Sequence, residues 1–289
     1  MKRRSSSAAS NGLRHVLREH PLFFYFFIAY AFSWITFIPF VLAAWDIISG
    51  DFTFIFYLHT FGPAFAAIIM SSVTEGKAGL LSLGRRITQW RAGWQWYLFI
   101  LVGIPALALF GTIIQPGTLA SFQGLSPVFL GNYAVSFVAM LILGGPLGEE
   151  PGWRGFALPR MQPRYGPLWG TLLLGVLWCS WHLADFLTPV HGGILTNFPI
   201  FLVNVLAMAI LFTWVFNHTR GSILIALLLH ASVNTSSIAL NSLFLAVDQT
   251  SNDLAMLISF GVPALLIVIF TRGRLGHQPL PSPQSSRGV

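Results

Sequence analysis

The sequence predicts an all-α integral membrane protein, a bundle of about eight transmembrane helices, and three observations support this. First, 55% of the 289 residues are hydrophobic and only 9% are charged, whereas a soluble domain has roughly 25% charged residues. Second, long uncharged stretches recur along the chain, each close to or above the roughly 20 residues that a helix needs to cross the hydrocarbon layer. Third, the few charges are distributed unevenly between these stretches.

The uncharged stretches define the predicted spans in chain order, with boundaries good to about 2–4 residues. They cover residues 21–45, 52–73, 95–115, 131–160, 167–187, 198–218, 222–245 and 254–271. The first stretch is longer than the core of a signal peptide and lacks a small-residue cleavage site, so we expect it to remain as a span. The segment 74–94 is too polar to span and combines leucines with basic residues, which predicts a short helix in the headgroup plane.

The basic residues lie on alternate connections only, and the opposite connections hold none. Because cytoplasmic loops collect lysine and arginine, this pattern predicts that both termini are cytoplasmic. We expect a basic N-terminal segment at 1–20, one transmembrane domain at 21–271 and a disordered tail at 272–289, which is rich in Pro, Ser and Gly. The net charge of +7 is thus explained by membrane topology, so the predicted partner is the lipid bilayer and not nucleic acid.

A few polar side chains fall inside the predicted spans or at their ends. Each ionisable group there costs roughly 2.5–3.5 kcal/mol on insertion scales, so each is a candidate functional residue. They form three groups, on the fourth, fifth and seventh spans. The groups are Glu149, Glu150 and Arg154, then His182 and Asp185, then His230 and Asn234.

In the first group, Glu150 and Arg154 are four residues apart, so on a helix they can pair, while Glu149 points about 100° away and is left free. Pro151 interrupts the helical hydrogen bonds. We therefore expect either a kink at the glutamates or a new helix that begins at Pro151 with Glu150 as its cap. The alternative is an ordinary cytoplasmic loop with surface charges.

The other two groups are ambiguous when each is taken alone. Trp178 and His182 share a helix face, as do His230 and Asn234, and a lone histidine or asparagine in such a helix is typically a packing residue or an interhelical hydrogen bond. Together with Glu149, however, they place a carboxylate, two imidazoles and an amide inside one small bundle. That combination is typical of a catalytic site.

The three groups resemble the motifs of the CAAX prenyl endopeptidase and bacteriocin-processing family of intramembrane proteases, which includes abortive-infection-like bacterial members. The resemblance covers about 140–240. The family has two glutamates followed by arginine at the fourth position after the second, as in Glu149, Glu150 and Arg154. It has an aromatic residue four before histidine, here Trp178 where phenylalanine is commoner, and a histidine four before asparagine.

The resemblance implies an intramembrane endopeptidase in which Glu149 and His182 activate water and His230 and Asn234 bind the developing oxyanion. Glu150 and Arg154 would support the first motif, and Trp178 the second. The implied substrates are prenylated peptides, leader peptides or membrane proteins. The amino-acid sequence of the first motif most resembles that of bacterial members, so we expect a multi-pass protein of a prokaryotic plasma membrane.

The resemblance leaves the role of a metal open. Family members have been named metalloproteases, and Glu149, His182 and His230 could supply the two histidines and one carboxylate of a catalytic zinc site. The sequence has no His-Glu-x-x-His pair, and the single cysteine, Cys179, excludes a cysteine-only cluster. We favour a glutamate mechanism without a cofactor, with zinc as the alternative.

Two other classes of function remain as alternatives. Eight spans with intramembrane charges also occur in transporters and channels, although polar groups spread along a pathway are expected there. A non-catalytic immunity or scaffold protein could keep the same fold and motifs.

Overall fold

The computed structural model describes residues 12, 14–188, 194–244 and 249–278. In that part of the chain every regular element is a helix, so the all-α prediction is confirmed. Seven described helices are long and apolar enough to cross a membrane, or eight if one bent pair forms a single span. Of the predicted basic segment at 1–20 and the predicted disordered tail at 272–289, residues 1–11, 13 and 279–289 lie outside the described residues.

The helices follow the predicted spans closely at most ends, because the apolar stretches that need hydrocarbon are also the stretches that form helices. In chain order they are α1 (Pro21–Ala44), α2 (Thr53–His59), α3 (Gly62–Ile87), α4 (Trp94–Leu98, a π turn at Phe99–Gly103, then Ile104–Ile113), α5 (Phe129–Leu143), α6 (Pro146–Gly152, a π turn at Trp153–Ala157, then Leu158–Tyr165), α7 (Pro167–Trp181, then a 3₁₀ turn at His182–Leu187), α8 (Ile194–His218), α9 (Ile223–Leu243) and α10 (Gln249–Met256, a π turn at Leu257–Gly261, then Val262–Thr271).

The segment 74–94 holds a short helical stretch, as predicted. Helix α3 breaks at Gly76, whose φ of 66° is readily adopted only by glycine, and a second helical stretch then runs to Ile87. Its placement in the headgroup plane stays a prediction. Arg86 then turns into the protein and donates hydrogen bonds to the carbonyls of Arg154, Gly155 and Gly221 at 2.9–3.0 Å. This segment therefore packs on the first motif.

The fourth predicted span, 131–160, is not one helix. Helices α5 and α6 meet at an angle of 48°, and the break lies at Gly144 and Gly145, before the glutamates. Both expectations for Pro151 are therefore wrong: it lies inside α6, which begins at Pro146. Gly145 has a φ of 105°, which a glycine adopts without strain, and a proline at the first helical position favours a start there.

Helix α6 enters the centre of the bundle because its glycines allow close approach. A Cβ atom on Gly148 would lie 2.4 Å from the carbonyl oxygen of Thr60, and one on Gly152 would lie 2.4 Å from the hydroxyl of Tyr25. Two glycines four apart form a small-residue face on which neighbouring helices pack tightly. Glu149, between them, is consequently carried into the interior.

Candidate active site

One cavity of about 520 Å³ lies among α2, α5, α6, α7, α8, α9 and α10. Its wall includes all four residues predicted to be catalytic, although they come from three separate helices of the chain. Trp178 also lines it. These residues are Glu149 on α6, Trp178 and His182 at the end of α7, and His230 and Asn234 on α9.

The carboxylate of Glu149 is buried and held by two indole groups. Its Oε2 accepts hydrogen bonds from Nε1 of Trp178 at 2.7 Å and from Nε1 of Trp153 at 3.3 Å. The expectation that this carboxylate is left free is thus corrected. It has no cation as a partner, but the two neutral indole groups donate hydrogen bonds to it. Gly145 makes room on the other side, because a Cβ atom there would lie 2.3 Å from Oε1.

Glu150 joins the first motif to the third. Its Oε1 accepts a hydrogen bond from Nη1 of Arg154 at 2.9 Å, as the four-residue spacing predicts, and lies 2.9 Å from Nδ1 of His230. Glu150 and Arg154 are both 0% exposed. The guanidinium is covered by the rings of Trp178 and Phe212, with centroids 4.4 and 4.7 Å away.

His182 belongs to a second cluster, which the sequence reasoning did not assemble. Its Nδ1 lies 2.7 Å from Oδ2 of Asp185, and the other carboxylate oxygen of Asp185 lies 3.4 Å from Nε2 of His59. Asp185 was noticed only as an ionisable residue at membrane depth, and His59 was not singled out. A signal did exist for Asp185, because it follows His182 by three residues and so returns to the same helical face.

Asn234 has looser contacts than the other cavity residues. Its Nδ2 lies 3.4 Å from the carbonyl oxygen of Gly144 and 3.7 Å from the sulfur of Met140. The contact with Gly144 is longer than a well-formed hydrogen bond, and a thioether sulfur is only a weak acceptor. The amide therefore has donor capacity left for a molecule in the cavity.

The suggested zinc ligands do not form a recognisable metal site. Among the described residues, no three His, Cys, Asp or Glu side chains are grouped so that they could hold a metal ion. Glu149, His182 and His230 line the same cavity, and both histidines direct Nδ1 at other carboxylates, so Nε2 is the remaining nitrogen of each ring. The arrangement does supply a buried carboxylate and two imidazoles, which can transfer protons, and an amide, which can donate hydrogen bonds to a bound peptide.

Residues 131–236 match the family model described as Type II CAAX prenyl endopeptidase Rce1-like, and this segment contains all three motifs. A relative in Methanococcus maripaludis named CAAX prenyl protease 2 is 29% identical over 184 residues, which are 59% of this chain and 64% of the relative. The chain thus spans less than two thirds of that relative's length. The family resemblance inferred from the motifs is confirmed.

Proposed function

We propose that this protein is an intramembrane endopeptidase that cleaves membrane-associated peptides, with prenylated CAAX peptides or leader peptides as the substrate classes. The observation that carries the proposal is the meeting of Glu149, His182, His230 and Asn234 at one cavity. The similarity of the chain to a family of CAAX prenyl endopeptidases supports the same activity. The proposed setting is a prokaryotic plasma membrane.

Glu149 and His182 are the groups proposed to activate water. Because the two indole donors both bind Oε2 of Glu149, Oε1 is left for the water. His182 directs Nδ1 at Asp185, so Nε2 is the nitrogen left for the reaction. The water transfers a proton to this pair as its oxygen attacks the peptide carbonyl, and the proton then passes to the leaving amine.

His230 and Asn234 are proposed to bind the oxyanion, and they differ as donors. A carboxylate can only accept, so the contact of Glu150 with His230 uses the Nδ1–H of the ring. Nε2 of His230 can then donate only if the ring carries a second proton. Asn234 can donate as a neutral amide. Preset donors of this kind contribute roughly 3–4 kcal/mol to an acyl-transfer transition state.

The walls of the cavity fit an apolar substrate. Leu143, Met208, Val233 and Met256 lie beside the polar groups, and the volume of about 520 Å³ is within the range of ligand pockets, roughly 300–1,000 Å³. A short peptide with apolar side chains would transfer from bulk water into this cavity. This composition supports a substrate that already resides at the membrane.

The proposal is tested with purified protein in liposomes and a fluorogenic peptide that ends in a farnesylated CAAX sequence, beside the same peptide without the prenyl group. The Glu149→Gln variant removes the proton acceptor and is expected to lower kcat by about 10²- to 10⁴-fold. Glu75→Gln is the control, because Glu75 is an exposed partner of Arg160. Equal cleavage by Glu149→Gln and wild type would contradict the proposal and favour a transporter or a non-catalytic scaffold.

The glutamate mechanism predicts that no metal is needed. Protein stripped by a chelator and then dialysed should cleave the same peptide at an unchanged rate. Loss of cleavage that is restored by one equivalent of zinc would reassign Glu149, His182 and His230 as metal ligands.

A further inference from the structure

Three side chains form a continuous polar contact from α2 to the end of α7. Nδ1 of His182 lies 2.7 Å from Oδ2 of Asp185, and Oδ1 of Asp185 lies 3.4 Å from Nε2 of His59. His59 and Asp185 are each 4% exposed, whereas the side chain of His182 is 19% exposed. The carboxylate is therefore enclosed between two rings, and His182 keeps access to the cavity.

The local backbone explains why His182 and Asp185 meet. Helix α7 changes at His182 into a 3₁₀ turn that ends at Leu187. In a 3₁₀ helix the side chains at i and i+3 lie directly above one another. The change of helix type thus places the carboxylate against the imidazole.

This contact selects one tautomer of the His182 ring. A carboxylate can only accept hydrogen bonds, so it favours the ring form with a proton on Nδ1 and a lone pair on Nε2. The other neutral form would direct the Nδ1 lone pair at the carboxylate and would leave Nε2 unable to accept a proton. The form that Asp185 favours is therefore the one that can act as a base.

His59 is itself fixed on several sides. Its ring stacks on Trp181 with centroids 5.4 Å apart and lies 4.3 Å from the ring of Phe37. Its Nδ1 contacts the carbonyl oxygen of Phe56, and Ser33 donates a hydrogen bond to the main-chain carbonyl of His59 at 2.7 Å. Its Nε2 is consequently held toward Asp185, and because Nδ1 donates to the Phe56 carbonyl, Nε2 can donate to the carboxylate only when the ring carries a second proton.

We propose that Asp185 is a positioning residue that orients His182 with Nε2 toward the reacting water, and that His59 in turn positions Asp185. The inference rests on the proposed peptidase function, because it assigns His182 a task in that reaction. Neither Asp185 nor His59 needs to contact the substrate. Both act through the ring of His182.

The Asp185→Asn variant tests the contact in the peptidase assay. Asparagine replaces one acceptor oxygen by an NH₂ group that cannot accept, so His182 and His59 compete for the remaining oxygen and the tautomer of His182 is no longer fixed. We expect kcat to fall about 10- to 100-fold, with KM changed less than about twofold because substrate contacts stay intact. Thr188→Val is the matched control, since the Thr188 hydroxyl donates to the main-chain carbonyl of Asp185 and not to its carboxylate, and this variant should keep the wild-type rate.

His59→Phe keeps a ring that can stack on Trp181 but removes the contact with Asp185. We expect kcat to fall about tenfold. The double variant with Asp185→Asn should be no slower than Asp185→Asn alone, because both changes act through the same carboxylate. Losses that multiply would show that His59 acts independently of Asp185 and would overturn its positioning role.

Nitrogen NMR of protein labelled with ¹⁵N-histidine reads the tautomer without any substrate, and a His182→Gln sample identifies the signal. The expected result is a proton on Nδ1 of His182 in the wild type and a shift toward Nε2 in Asp185→Asn. A wild-type ring with its proton on Nε2, or a tautomer unchanged by Asp185→Asn, would overturn the inference.

The two measurements separate failure of the inference from failure of the proposed function. Cleavage that is lost in Glu149→Gln but unchanged in Asp185→Asn overturns the inference and leaves the peptidase proposal standing. Equal cleavage by Glu149→Gln and wild type overturns the peptidase proposal, and with it the catalytic task of His182, whatever tautomer NMR shows.

Discussion

Two carboxylates, Glu150 and Asp185, make the same contact with an imidazole but differ in how their charge is balanced. Each faces the Nδ1 atom of a histidine, at 2.9 Å for His230 and 2.7 Å for His182. Glu150 also binds Arg154, and that pair is wholly buried. Asp185 has His59 at 3.4 Å instead. The first carboxylate is paired with an arginine, and the second lies between two imidazoles.

This difference separates a contact that supports folding from one that can serve turnover. A buried charge that loses its partner costs several kcal/mol, because neither water nor a counter-ion replaces the lost interaction. Loss of a contact of Glu150 should therefore mainly lower the free energy of unfolding. Loss of a contact of Asp185 should mainly lower the rate of cleavage.

The largest effect is expected for Arg154→Met, which leaves Glu150 buried without its cation. We expect the free energy of unfolding to fall by about 3–5 kcal/mol, measured by denaturant titration in detergent. Arg164→Met, an exposed change on the same helix, should stay within about 0.5 kcal/mol. On the other side, His59→Phe should cost about 1–2 kcal/mol. Equal losses for Arg154→Met and His59→Phe would remove the distinction.

Gly145→Ala tests whether the carboxylate of Glu149, the neighbour of Glu150, must keep its exact position. The added methyl would collide with Oε1 of Glu149 and shift the carboxylate, and a displacement of about 1 Å at a reacting group can cost about 100-fold in rate. Gly117→Ala is the matched control, because Gly117 has a φ of 80° but open space around its Cα. Similar losses in both would attribute the effect to backbone strain alone.

The smallest effect is expected for Trp178→Phe, at the border of the two regions. Phenylalanine can still cover Arg154 but cannot donate to Glu149, so we expect kcat to fall about tenfold, with little change in stability. Trp169→Phe is the control, since Trp169 lies on the same helix and is 70% exposed. A full wild-type rate in Trp178→Phe would show that Trp153 alone can orient Glu149.

The helices were largely predictable because the hydrocarbon layer imposes a length and an apolar composition on each span. The break in the fourth span was not placed correctly. Pro151 is the stronger breaker by local rules, yet the chain bends at Gly145, where a left-handed backbone and a favourable helix start at Pro146 coincide. Inside the bundle, tight packing around Gly148 and Gly152 holds the helix together past the proline.

For the candidate site, the sequence by itself determined the pairs that lie on one helix. Glu150 and Arg154 are joined by the four-residue period of the α-helix, which needs no knowledge of the rest of the fold. The contacts between helices were decided by tertiary structure. Trp178 reaches Glu149, His230 reaches Glu150 and His59 reaches Asp185 only because apolar faces and small glycines bring α2, α6, α7 and α9 together, and that packing is not encoded in any local spacing.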